Sequence, residues 1–162
     1  MKADIDIFVV PKKDADEYER KSVNKLALMV RQFFDDEIME DTLVAIAEKP
    51  LQGEFAGNCH NIVLAFMTDL IIARRAQGWF WVRGENPQRT QQGITWEHSW
   101  LEYNGFAVDA SELLKERPDK PAISIGEAEL YYKAKGIKKI IKRRNAAQTR
   151  RWIVKRAKDE EK

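Results

Sequence analysis

The sequence predicts an α+β fold, with helices first and an antiparallel sheet after them, and three observations predict it. Apolar residues recur at helical spacing from Asp14 to about Phe34, and a second apolar helical run follows Asn58. From Trp79 onward the pattern changes to aromatic and β-branched runs, first Trp79-Phe80-Trp81-Val82 and then two segments on either side of Asn104-Gly105. An Asn-Gly pair between apolar segments is the strongest short-range hairpin signal, and strands joined by so short a turn must be antiparallel. The composition agrees with a packed core: of 162 residues, 44% are hydrophobic and 33% charged. That length fits one ordinary domain, expected over residues 1–144, followed by a basic helix or tail over 145–162.

Asp4 to Val10 alternates Ile5, Ile7 and Val9 with polar partners and meets Pro11, which predicts a short strand at a sheet edge or early in the sheet. Asp14 to Phe34 predicts a helix, since Val23, Leu26, Leu28, Met29, Val30 and Phe33 recur near helical spacing and acids occupy its first turn. A second helix is expected from Asp36 to Glu48, with a loop over 51–57. Asn58 offers a capping side chain to a long apolar helix reaching about Gln77, where Gly78 would close it, and Cys59 would be its first residue. Trp79 to Val82 predicts a buried strand and GENPQRTQQG, residues 84–93, a polar loop before the hairpin. Beyond the hairpin the pattern predicts a helical turn over Ser111 to Glu116 and a loop at residues 118–121. Ser124 to Glu127 reads as a capping box opening a helix that stops at Gly136. A strand over Ile137 to Ile141 and a basic helix from Asn145 complete the order.

Charge is unevenly placed. Residues 1–132 carry 15 Lys+Arg against 23 Asp+Glu, net −8, while residues 133–162 carry 13 against 3, net +10. The body is acidic and the end is basic, so nucleic acid or an acidic protein partner is an expected occupant of the C-terminal segment, against the commoner use of such a run as a solvated face. No apolar run approaches the ~20 residues that span a bilayer, and acids interrupt MKADIDIFVV where a secretion signal would be apolar. The expectation is a cytoplasmic protein with no membrane contact. The single cysteine cannot make an internal disulfide, so it is either filler or a reagent.

The hairpin decides between those two readings. With Asn104 and Gly105 as the turn, Tyr103 faces Phe106, Trp100 faces Asp109, and Trp96, His98, Trp100 and Asp109 share one sheet face. His98 and Asp109 are then diagonal neighbours about 7 Å apart or closer, near enough for the carboxylate to bind a ring nitrogen and orient the imidazole. A cysteine at a helix N-terminus beside a histidine has its thiol pKa lowered from about 8.5 to between about 3.5 and 7.5, and the same unsatisfied N–H groups can receive an oxyanion. Cys59, His98 and Asp109 therefore read as nucleophile, base and orienting acid. Each has a bland alternative: buried packing for Cys59, a structural histidine for His98, a turn cap for Asp109. His60 adjoins Cys59 but faces elsewhere on the helix, so it reads as a surface or supporting residue. Trp100 is expected to pack on His98, and Trp96 either packs or lines a substrate groove. Cys, His and Asp are metal ligands by type, but neither C-x-x-C nor H-x-x-x-H spacing is present, and neither a metal nor another cofactor is expected.

Three segments in order, GNCHN at 57–61, HSWLE at 98–102 and GFAVDAS at 105–111, resemble the core of the transglutaminase-like superfamily. That pattern is a helix-start Cys, a His-x-Trp strand and an Asp on the neighbouring strand. The likeness spans Gln52 to Ser111. It implies a papain-like core in which the Cys59 helix packs on the antiparallel sheet, with Cys59 as nucleophile, His98 as general base and acid, and Asp109 orienting it. The implied reaction is attack on an amide or acyl carbonyl of a protein or peptide substrate, through a thioester, with transfer to water or an amine. Gln52 stands seven residues before Cys59, near where papain-like enzymes keep an oxyanion-hole glutamine, with Asn58 as a supporting donor.

Overall fold

Among the described residues six strands assemble into one sheet, and the sequence periods explain what covers each face. The computed structural model describes residues 6–10, 17–34, 58–91, 94–109 and 122–160. In chain order the elements are β1 (Asp6–Val10), α1 (Glu17–Phe34), α2 (Asn58–Ile72), β2 (Trp79–Gln91), β3 (Ile94–Tyr103), β4 (Phe106–Asp109), β5 (Ala122–Glu127), α3 (Ala128–Lys135), β6 (Lys139–Arg144) and α4 (Ala146–Glu160). The sheet order is β1-β5-β4-β3-β2-β6. All neighbours are antiparallel except β1 and β5, so the fold is of the α+β class. The expected helix over 36–48, the loop over 51–57, the turn at Ser111–Glu116 and the loop over 118–121 lie outside the described residues.

Alternation along the strands sorts side chains into two layers. On one face Trp79, Trp81, Leu101, Val108, Ile123 and Ile125 form the larger core with Leu26 and Val30 of α1 and with Ile62, Val63, Leu64, Phe66, Met67 and Leu70 of α2. Six consecutive residues of α2, Ile62 to Met67, are buried, so it is a core helix covered on several sides. Trp152 and Ile153 of α4 pack against the same cluster. On the other face Val82, Trp100 and Ala107 form a smaller cluster under Tyr131 of α3.

The Asn104-Gly105 turn has φ of 50° and 81°, the two positive values of a type I′ hairpin. Its register, Tyr103 opposite Phe106 and Leu101 opposite Val108, is the one the turn dictates. Four expectations need correction. First, α2 ends at Ile72 rather than near Gln77. One more turn would carry Arg74 beneath buried Leu70; instead Arg74 takes φ 57°, and Arg74 N–H bonds Ile71 O at 3.1 Å while Arg75 N–H bonds Leu70 O at 2.8 Å. That bond pair is a Schellman stop, made here without glycine.

Second, most of the expected polar loop is strand: β2 runs on to Gln91, with a register shift between Asn86 and Thr90 that contains Pro87. The shift is what lets the ladder resume past a residue with no N–H. Third, Ser124 does not cap a helix but pairs with Phe8 and Asp109 inside β5, because Ile123 and Ile125 belong to the core. Helix α3 starts after Glu127 with no side-chain cap, and Ala128 N–H is instead held by Gly105 O of the hairpin turn at 2.9 Å. Fourth, β6 is displaced by two or three residues from the expected Ile137–Ile141. The stop at Gly136 (φ 71°) is as expected, and Asn145 and Gln148 form a reciprocal capping box, 2.9 Å in both directions, that starts α4.

Gly84 lies opposite His98 in the ladder and leaves room for the Trp100 indole: a Cβ there would meet Trp100 Cη2 at 2.7 Å and Ile137 Cγ2 at 3.0 Å. Gly84→Ala is expected to destabilise the fold by about 1–3 kcal/mol through overpacking. Urea denaturation reads it, and an unchanged midpoint would show that the indole yields freely.

Candidate active site

Strand β3 carries alternating polar residues that the sheet sends to opposite faces, and each face acquires its own hydrogen-bonded group. On the α3 face, His98 Nε2 lies 2.9 Å from Asp109 Oδ2, with both side chains buried. Because a carboxylate only accepts, Nε2–H is the donor, and any further proton exchange by the imidazole must run through Nδ1. The His98 ring stacks on Trp100, centroids 5.9 Å apart and planes 28° apart, as expected for Trp100.

Asp109 has a second donor that local sequence signals did not point to. The Tyr131 hydroxyl, from α3, donates to the same Oδ2 at 2.7 Å. Two donors on one buried oxygen offset the cost of desolvating the carboxylate and favour its ionised form. Next to it, Tyr132 donates to Glu102 Oε2, which also accepts from Trp100 Nε1 at 2.8 Å, while Arg143 Nη2 reaches Glu102 Oε1 at 2.9 Å. Burial, then Glu102, holds the Tyr132 phenol above its ordinary range, so it stays a donor. Adjacent tyrosines of one short helix thus hold two buried acids with Trp100 between them: Tyr131 and Tyr132 lie 5.3 and 5.8 Å from the indole, centroid to centroid.

The opposite face of β3 belongs to α2. Ser99 Oγ accepts from Trp81 Nε1 at 3.0 Å and is hydrogen-bonded to His60 Nδ1 in the first turn of α2. His60 is therefore buried, which corrects the surface alternative and leaves the supporting one: it ties the helix start to the strand. Arg83, which faces Ser99 across the ladder, is ion-paired with Glu97 on this same side.

The structure thus brings His98 and Asp109 together and adds Tyr131. Cys59 lies in the first turn of α2, as expected, on the helix that packs against the Ser99 side of β3. The side chains of Cys59 and Asn58 are outside what is described. Trp96 pairs with Asn86 in β3, its side chain likewise outside, and Gln52 falls outside the described residues. Among the described residues no group of three or more His, Cys, Asp or Glu is placed to hold a metal ion, and no helix is long and apolar enough to cross a membrane. The parity of β3 could have assigned Ser99 to the helix side, since it alternates with His98. Tyr131 meets Asp109 only through tertiary folding, 22 residues away, and no local pattern marks it.

Comparison with family models, with curated proteins and with solved structures gives no match.

Removing the Tyr131 hydroxyl takes one donor from Oδ2, so the carboxylate charge acts more fully on the imidazolium. Tyr131→Phe is expected to raise the titration midpoint of His98 followed by NMR, while Tyr132→Phe leaves it in place. A midpoint that does not move in Tyr131→Phe would show that the phenol does not tune the pair.

Proposed function

We propose that this chain is a cysteine-nucleophile hydrolase or acyltransferase acting on an amide or acyl bond of a protein or peptide, on a papain-like core. The observation that carries it is the buried His98–Asp109 hydrogen bond, in a chain that also puts its one cysteine in the first turn of a buried helix. In this reading Cys59 and His98 rest as thiolate and imidazolium. The sulfur bonds to the carbonyl carbon, the carbonyl π pair moves to oxygen, and backbone N–H groups of the α2 start receive that charge, with Asn58 and Gln52 as further donors. His98 gives its Nδ1 proton to the leaving amine, the tetrahedral species collapses, and a thioester and neutral imidazole remain. Water or an acceptor amine then attacks while His98 takes its proton; collapse releases the acyl product and restores the thiolate. Asp109 keeps Nε2 occupied throughout, Tyr131 positions Asp109, and Trp96 is assigned to the substrate groove.

A specific observation favours a second reading. Helix α2 packs on the Ser99 side of β3, whereas His98 and Asp109 occupy the other side. If the sheet keeps the thiol and the imidazole apart, the Cys-His-Asp set is structural or degenerate, and the chain is a non-catalytic adaptor that binds nucleic acid or an acidic protein partner through its basic C-terminal segment.

The two readings differ in the chemistry of Cys59. The rate of alkylation by iodoacetamide is expected to persist well below pH 8 in the wild type, and to follow an ordinary thiol pKa of about 8.5 in His98→Ala. An ordinary profile indifferent to His98 would contradict the enzyme reading and leave the adaptor. Cys59→Ala should keep the fold and lower any peptide or amide turnover by at least about 10³-fold.

A further inference from the structure

We infer that the outward face of α4 is a sequence-independent binding surface for the phosphate backbone of double-stranded nucleic acid. This inference does not depend on the chemistry proposed for Cys59.

The helix is amphipathic in an unusual way. Its inward residues anchor it: Thr149 is fully buried, Trp152 meets Trp81 edge-on at 5.0 Å and 82°, and the Arg156 guanidinium lies 5.4 Å from the Trp152 ring centre. Its outward residues Arg150, Arg151, Val154, Lys155 and Lys158 line a cavity of about 350 Å³. These positions span nine residues, eight steps of 1.5 Å or about 12 Å of helix. Among the described residues none of the four cations is ion-paired with a carboxylate. Like charges three or four residues apart on one helix face repel, so this stripe is destabilising on its own and is relieved by a polyanion.

The geometry also selects the kind of polyanion. Arg150 and Arg151 present guanidinium forks, which suit phosphate oxygens. Single-strand binders add aromatic side chains on which bases stack, but the one tryptophan of α4 is turned inward onto Trp81. The residues that line the cavity are four cations and one apolar residue, Val154, which fits backbone contact and no base readout.

The test uses the full chain and a labelled mixed-sequence DNA duplex of about 20 base pairs, followed by fluorescence anisotropy between about 50 and 200 mM salt. Four neutralised phosphates give a log K against log salt slope of about −3.6. The variant carrying Arg150→Gln, Arg151→Gln, Lys155→Gln and Lys158→Gln should lose most of that slope and bind at least about tenfold more weakly, with an unchanged circular dichroism spectrum, since all four side chains are exposed. Scrambling the duplex sequence should change nothing. Absent binding at the lowest salt, full binding by the fourfold variant, a single strand preferred to the duplex, or a polyglutamate peptide bound more tightly than DNA would each overturn the inference.

Discussion

The two-residue turn at Asn104-Gly105 is the constraint on which the rest depends. Positive φ at both positions commits β3 and β4 to one register, and a slip of a single residue would exchange the faces of a strand. In the observed register His98 meets Asp109, Trp100 enters the small cluster under α3, and Leu101 enters the large core under α2. The same turn holds α3 directly, because Gly105 O accepts from Ala128 N–H at the start of that helix. The element that aligns the acid with the imidazole therefore also places the tyrosine that completes its hydrogen bonding.

Buried acids explain why α3 is where it is. Asp109 and Glu102 lie on the same face, and leaving either carboxylate without donors would cost several kcal/mol. Tyr131 and Tyr132 supply a hydroxyl each, and Arg143 reaches Glu102 from β6, the strand that follows α3. Gly84 then makes room for Trp100, around which both tyrosines close. Polar satisfaction and aromatic packing on this face are a single problem with a single solution.

How much of this was legible in the sequence depended on how local the cause was. The hairpin, the helix start at Asn58, the stop at Gly136 and the His98–Asp109 pairing follow from turn chemistry and strand parity, which act within a dozen residues. The capping box at Ser124 misled because its local signal is real but weaker than the demand that Ile123 and Ile125 fill the core between β1 and β4. Residues 84–91 look like loop because they are polar and contain Pro87, yet cross-strand pairing with β3 keeps them extended. Tyr131, Glu102 and Arg143 come together only when α3 and β6 fold against the sheet, so no short pattern announces them. The side on which α2 packs relative to His98 is of the same kind, and it is the feature that most sharply divides the two functional readings.

The central claim is that the hairpin register makes His98 donate from Nε2 to Asp109 and leaves Nδ1 as the nitrogen that exchanges protons. Ring ¹⁵N chemical shifts of His98 in its neutral form measure that directly. The Nε2–H tautomer is predicted, and it should be lost or diluted in Asp109→Asn. A neutral ring protonated on Nδ1 in the wild type would contradict the pairing, and with it the alignment on which the proposed chemistry rests.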